Sequence, residues 1–270
     1  MIAATLSSCE TNKSTVSSAQ LDAFMQKWSE YEAFKVPMDP KDEPLLLAAL
    51  EQDPSGPWAA YISMKSAQTK FEAKSLDTAG RAALYGASLR YLIPARDILI
   101  QAAETKYHDK KLRHNLNKIK GHVSLASLEA GLDLAKVKSD AEAALAANKN
   151  TQSWNYGNKI YDNHTKLGRV ALRKGNLDEA KKQLLLAGHT PGSPQLNSYG
   201  PDFTLARELA EEGEYDTVIV FLDLVARFWA NPDARTGANS KRVASDHLKL
   251  LESWKKELHA GKIPDHRKWK

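Results

Sequence analysis

The chain has 270 residues, of which 42% are hydrophobic and 26% charged, and its 38 basic and 33 acidic side chains give a formal net charge of +5. This composition excludes wholesale disorder, and a chain of this length buries about 75% of its unfolded-state surface without help from disulfides or metals. Its one cysteine, Cys9, excludes an intrachain disulfide and a cysteine-rich zinc or iron–sulfur site. No segment approaches the ~20 apolar residues of a transmembrane helix.

The first half of the chain begins with a polar stretch and continues with helical patterns. Residues 1–18 end in Glu-Thr-Asn-Lys-Ser-Thr-Val-Ser-Ser, a composition that favours a flexible tether. From Ala19 onward, apolar side chains recur at intervals of three and four residues, the period of an amphipathic helix. Proline-rich breaks at 36–44 and 53–57 interrupt the pattern.

Beyond the second break the pattern predicts helices near 57–73, 76–91, 94–107, 109–119, 122–135 and 138–148. Pro94 is assigned to the first turn of a helix, where its missing N–H has no partner in any case. No segment shows the period-two alternation of strands. We therefore expect an all-α fold of about a dozen helices, with an N-terminal helical region at 19–150 and a second helical region at 151–270.

Charge is unevenly distributed along the chain. Residues 101–122 carry a net charge of +4, and residues 199–233 carry −6. Basic stretches attract nucleic acid or anionic lipid, but these alternate with acidic stretches and contain no recognised nucleic-acid motif. We interpret the charge blocks as solvated helix faces and expect no nucleic-acid partner. The same interpretation covers the carboxylates Glu208, Glu211, Glu212 and Glu214.

Two segments in the second half share a spacing of small and apolar residues. In 161–194 these are Leu167, Gly168, Ala171, Gly175, Leu177, Ala180, Leu184 and Ala187, and in 199–232 they are Leu205, Ala206, Leu209, Gly213, Tyr215, Val218, Leu222 and Val225. A glycine such as Gly175 ends a helix well because it accepts a positive φ. The offsets resemble the tetratricopeptide repeat, a two-helix unit, although His164 stands where that family has tryptophan. Gly213 follows Gly175 by 38 positions, whereas the repeat has 34.

This resemblance implies a helical-hairpin array, a tetratricopeptide-like α-solenoid, that binds another protein in a groove lined by the first helix of each unit. The groove positions carried over from the family are Thr165, Arg169, Arg173, Phe203 and Arg207. Three arginines suit planar, bidentate contacts with an anionic peptide segment. The alternative is that these are solvent-facing arginines on stable helices. The connection 190–201 is either a binding loop or a rigid link that sets the angle between the units.

Motifs for enzyme chemistry are absent from the sequence. We find no HExxH, HxxEH, GxxxxGK[ST], GxGxxG or GxSxG. The eight histidines include no pair at the i,i+4 spacing of a helical metal site. We therefore expect no catalytic residue, no metal and no cofactor. An α-helical enzyme acting on an envelope polymer stays as an alternative.

The segment Leu6-Ser7-Ser8-Cys9 resembles the lipobox of bacterial lipoproteins, in which the cysteine becomes the lipidated first residue of the mature chain. Only Met1–Thr5 precede it, too few for a charged segment and an apolar core of about 7–15 residues, so the resemblance implies a start upstream of Met1. It also implies tethering to the periplasmic side of a bacterial membrane. The outer membrane is favoured because Glu10 differs from the aspartate linked to inner-membrane retention.

These patterns together favour a non-catalytic interaction scaffold or assembly factor, anchored in a bacterial membrane as a lipoprotein. The alternative is a soluble cytoplasmic helical-repeat adaptor, which is the expectation if Met1 is the true start. The expected partner is a protein or peptide.

Overall fold

A computed structural model describes residues 16–32, 39–231 and 240–265, so that Cys9 and most of the predicted tether lie outside the described residues. Within these ranges the chain forms twelve α-helices and two short 3-10 turns, and it forms no β-strand. The prediction of an all-α fold is therefore confirmed. No helix in the described ranges is long and apolar enough to cross a membrane.

The helices form two compact units, which divide between Ala130 and Gly131. The first unit contains five α-helices in the described part of the chain: α1 (Ser18–Glu32), α2 (Glu43–Gln52), α3 (Trp58–Glu72), α4 (Thr78–Thr105) and α5 (Lys110–Ala130). Its core includes an aromatic group in which the ring of Trp28 lies 4.5 Å from Trp58 and 5.0 Å from Tyr61. Helices α4 and α5 pack against each other along this core.

The long helix α4 continues through two predicted boundaries, a helix end at 91 and a helix start at 94. Pro94 lies inside α4, although a helix was predicted to begin there. An interior proline costs about 3 kcal/mol, but Leu92, Ala95 and Leu99 around it are completely buried. Burying a leucine side chain stabilises by about 1.5–3 kcal/mol, so packing on both sides of Pro94 offsets the cost of continuing the helix.

Helix α5 also joins two predicted helices, 109–119 and 122–135, into one. Gly121 lies in its middle, and a glycine there costs only about 1 kcal/mol relative to alanine. Ile119 and Val123 on either side of it are buried, which keeps the helix on the core. The helix ends at Ala130, and Gly131 follows with a φ of +69°.

The second unit contains the remaining helices: α6 (Leu134–Ala147), α7 (Tyr156–Arg173), α8 (Leu177–Gly188), α9 (Pro194–Tyr199), α10 (Thr204–Glu211), α11 (Tyr215–Trp229) and α12 (Ser240–His259). Helix α6 belongs here because it packs against α7, whereas the sequence-based division at residue 150 groups it with the N-terminal region. Phe203 lies at the centre of the core, 5.0 Å from the ring of Trp254 and 5.5 Å from that of Trp229.

Candidate functional site

Two helical hairpins, α7–α8 and α10–α11, turn with the same backbone geometry. Gly175 has a φ of +72° and Gly213 a φ of +86°, as expected for the glycine after a helix end. The N–H of Asn176 donates to the carbonyl of Ala171, and the N–H of Glu214 donates in the same way to that of Leu209. The predicted termination of α7 at Gly175 is therefore confirmed, and each turn brings the next helix back against the previous one.

The first helices of the two hairpins, α7 and α10, meet at a glycine. A Cβ on Gly168 would lie 2.3 Å from Cδ2 of Leu205 and 3.3 Å from the carbonyl oxygen of Ala180. An added Cβ would force Leu205 to move, and Leu205 is buried in the core. Gly168 therefore allows α7 to approach both α8 and α10 closely.

Next to Gly168, a buried ion pair joins α7 to α10. The Nε of Arg169 donates to Oε2 of Glu208 at 2.9 Å, and its Nη2 donates to Oε1 at 2.7 Å. The side chains of Arg169 and Glu208 are only 5% and 10% exposed. The Nη2 of Arg173 lies 3.5 Å from the same Oε1, so two arginines surround one carboxylate. Charge-assisted, bidentate contacts of this kind fix both partners in position.

The structure separates the predicted groove residues into two kinds. Phe203 is 1% exposed and belongs to the core, and Arg169 directs its guanidinium to Glu208. Arg173 and Arg207 are partly exposed, and the Nε of Arg207 lies 3.4 Å from Oε1 of Glu211, one turn further along α10. Thr165 is half-buried on α7. Only Arg173 and Arg207 therefore combine a cationic group with access to solvent in this set.

The prediction that Glu208 belongs to a solvated helix face is wrong. The residue is 8% exposed and accepts the hydrogen bonds of Arg169, whereas Glu211 and Glu212 are exposed as expected. The position of Glu208 in the sequence offered one sign of its burial. Glu208 lies between the apolar residues Leu205 and Leu209 on α10, so part of the helix face that it occupies is turned toward the core.

The connection between the hairpins is tied to the N-terminal end of α7. The hydroxyl of Thr190 donates to the carbonyl of Gly157 at 2.8 Å. The hydroxyl of Ser193 caps α9 by accepting from the N–H of Leu196 at 3.0 Å and also donates to Oδ1 of Asn158. These contacts favour the rigid link over a free binding loop.

Other polar groups in the unit have structural partners. The Nδ1 of His164 donates to Oε1 of Gln183 at 2.7 Å, which connects α7 to α8. The hydroxyl of Tyr161 donates to the carbonyl of Asp202 at 2.7 Å, and burial raises the pKa of this phenol well above its usual value. Tyr161 therefore stays protonated and acts as a hydrogen-bond donor between α7 and the segment that leads into α10.

Grouped metal ligands and a lined cavity are the features that would support metal or small-molecule chemistry. Among the described residues, no three histidine, cysteine or acidic side chains are grouped as metal ligands. A cavity of about 400 Å³ lies in the first unit and is lined by Val16, Ser18, Leu21, Ala48, Glu51 and Gln52. Its lining contains one ionisable side chain, Glu51, and none of the predicted site residues.

Comparisons with known proteins identify no relative. No protein-family model matches the chain, and no curated protein and no solved structure matches it.

Proposed function

We propose that the protein is a non-catalytic interaction scaffold whose second unit is a tetratricopeptide-like helical array. The observation that supports this proposal most directly is the parallel arrangement of α7 and α10. The contacts of Tyr161 with Asp202, of Gly168 with Leu205 and of Arg169 with Glu208 follow in the same order along both segments. First helices of consecutive tetratricopeptide units run side by side in this way, and both hairpins turn at glycines with positive φ.

The proposed ligand is an anionic peptide segment. Arg173 and Arg207 are the predicted groove residues whose cationic side chains are partly exposed, and Arg173 lies 3.5 Å from Glu208, the residue that follows Arg207. A positioned guanidinium binds a carboxylate through two parallel hydrogen bonds. Arg169 then supports the site from within, because its ion pair holds α7 and α10 together. Phe203 contributes to the core beneath.

A double variant tests the groove. Arg173→Ala/Arg207→Ala removes both accessible cations, and Arg227→Ala/Arg242→Ala removes the same charge from exposed positions on α11 and α12. Each charged hydrogen bond is worth about 1.5–3 kcal/mol, so the groove variant should bind an acidic partner at least ~10-fold more weakly. Pull-down from cell extract with quantitative mass spectrometry, followed by binding of Asp/Glu-rich peptides from the captured partner, measures this loss.

Comparison of the two variants separates an effect of the groove from a general effect of lost positive charge. Loss of a partner with the groove variant and its retention with the control variant would support the proposal. Capture of the same partners, in the same amounts, by both variants and by the unchanged protein would overturn the groove.

We further propose that Cys9 carries a lipid that tethers the scaffold to the periplasmic side of a bacterial membrane. What supports this is the lipobox-like Leu6-Ser7-Ser8-Cys9 and the polar residues after it. Several acyl chains give stable attachment, because each buried CH₂ contributes about 0.8 kcal/mol. Metabolic labelling with a radioactive fatty acid, from the native gene with its upstream sequence, should label the protein, and Cys9→Ser should abolish the label. An unlabelled protein in the soluble fraction would favour the cytoplasmic adaptor instead.

A further inference from the structure

Helix α5 presents a one-sided basic face in the first unit. Lys110, Lys111, Arg113, Lys118 and Lys120 are all exposed, and the helix contains no acidic residue before Glu129. Within the described residues none of these five cations forms an ion pair, in contrast to Lys136 and Lys138 on α6, which pair with acids four residues away. The opposite side of α5, with Leu112 and Ile119, is buried. The cations therefore share one solvent-facing arc.

A sixth cation extends this face onto α3. Lys70 is exposed near the C-terminal end of α3, and its charge acts on His122 of α5. Burial lowers the pKa of His122, and the positive charges of Lys118 and Lys70 lower it further. Lys70 and Lys118 therefore both lie near His122, where α3 and α5 pack against each other. We define the basic face as Lys70, Lys110, Lys111, Arg113, Lys118 and Lys120.

Two exposed aromatic rings flank the basic face. Tyr107 is 60% exposed in the turn that leads into α5, and Phe71 is 74% exposed beside Lys70. Along α5, about twelve residues of helix, or roughly 18 Å, separate Lys110 near Tyr107 from His122 near Lys70. Aromatic side chains at both ends of a lysine-rich stripe are the pattern of a surface that meets a lipid interface, where the rings enter the headgroup region.

We propose that the basic face of α5 docks on the surface of an anionic lipid bilayer. Charge complementarity supplies the attraction, since each lysine or arginine near an anionic leaflet increases binding about 5-fold. A bilayer fits better than nucleic acid for two reasons. Five of its six cations lie on the outer arc of one helix, which does not form a groove that follows a strand. Tyr107 lies just before the start of α5 and Phe71 lies beside Lys70 near His122, so roughly 18 Å of helix separates the two regions, too far for stacking on successive bases.

The test uses the full chain with Cys9→Ser, so that lipidation plays no part. Co-sedimentation is measured with phosphatidylcholine vesicles and with vesicles that contain roughly 30% phosphatidylglycerol, at about 0.05 M and about 0.5 M NaCl. Binding should require the anionic lipid and should weaken at the higher salt concentration. Lys70→Gln/Lys111→Gln/Lys118→Gln should reduce the partition coefficient roughly 100-fold. Circular dichroism checks that the variant is folded.

A matched variant controls for net charge. Lys249→Gln/Lys256→Gln/Lys262→Gln removes three exposed lysines from the second unit and should bind within about 2-fold of the Cys9→Ser chain. Equal binding to neutral vesicles, or an equal loss in both triple variants, would overturn the proposal. Binding of a single-stranded oligonucleotide without binding of anionic vesicles would also overturn it. Because Cys9 is absent throughout, failure here leaves the proposed scaffold and its lipid anchor standing.

Discussion

Replacing Glu208 with leucine is the sharpest test of how the second unit is held together. The substitution keeps a side chain of similar size on α10 but leaves the guanidinium of Arg169 buried without its carboxylate. Arg169 is 4% exposed and both of its contacts with Glu208 are shorter than 3 Å. Water therefore cannot replace the lost partner without a rearrangement of α7 and α10.

The expected cost follows from this burial. Removing one partner of a buried ion pair destabilises by about 3–5 kcal/mol, because the remaining charge stays desolvated. Glu211→Leu is the matched control on the same helix, since Glu211 is 54% exposed at its side chain and pairs with Arg207 within one turn. Exposed pairs of that kind contribute at most about 0.5 kcal/mol. The double variant Arg169→Met/Glu208→Leu should recover most of the lost stability, because apolar replacement of a whole buried pair is often neutral.

Native-state hydrogen exchange measures the effect in the full chain, because it reports the free energy of opening separately for the amides of each unit. Glu208→Leu should accelerate exchange throughout α7 and α10 and leave α3 and α4 unchanged. If Glu208→Leu were as mild as Glu211→Leu, the ion pair would not hold the two helices together. If the double variant were no more stable than Glu208→Leu, an unpaired buried charge would not be the cause of the loss.

Two glycines and one aspartate allow further tests by urea unfolding. Gly168→Ala should lower the free energy of unfolding by about 1–3 kcal/mol through the clash with Leu205. Gly121→Ala, with no atom within 4 Å of the new Cβ, should raise it by about 0.5–1 kcal/mol. The reverse order of the two variants would contradict the close contact at Gly168 and the open space at Gly121. A hydrogen bond from the Ser55 hydroxyl, and then those from backbone N–H groups at the start of α5, lower the pKa of Asp109. The ionised Asp109 carboxylate therefore stabilises the fold at neutral pH, and this contribution is lost as the pH falls through the lowered pKa. Asp109→Asn should therefore shift the urea midpoint at pH 7 but not in strong acid, and a shift independent of pH would exclude the charge as its source.

The parts of the fold that depend on single residues could be predicted from the sequence. Gly175 ends α7 as expected, because a positive φ after a helix is a local property that glycine alone satisfies at no steric cost. The predicted breaks at Pro94 and between 119 and 122, where Gly121 lies, are wrong for the opposite reason. Each of the two residues disfavours a helix by a few kcal/mol at most, and that local cost is smaller than the gain from the buried neighbours that continue along α4 and α5.

The candidate site depends on contacts between segments that are distant in the sequence. The sequence could predict which residues lie on each helix but not which of them pair across the two helices. Arg169 and Arg173 lie one turn apart on α7 and looked equivalent as groove arginines, but α10 distinguishes them. Glu208, 39 residues beyond Arg169, accepts two hydrogen bonds from that residue, while Arg173 keeps part of its guanidinium in solvent. Gly168, next to Arg169, leaves room for Leu205 of α10 to lie against α7 at this point. Burial of a charge is thus decided by where two helices touch, which buries Arg169 and leaves part of Arg173 in solvent.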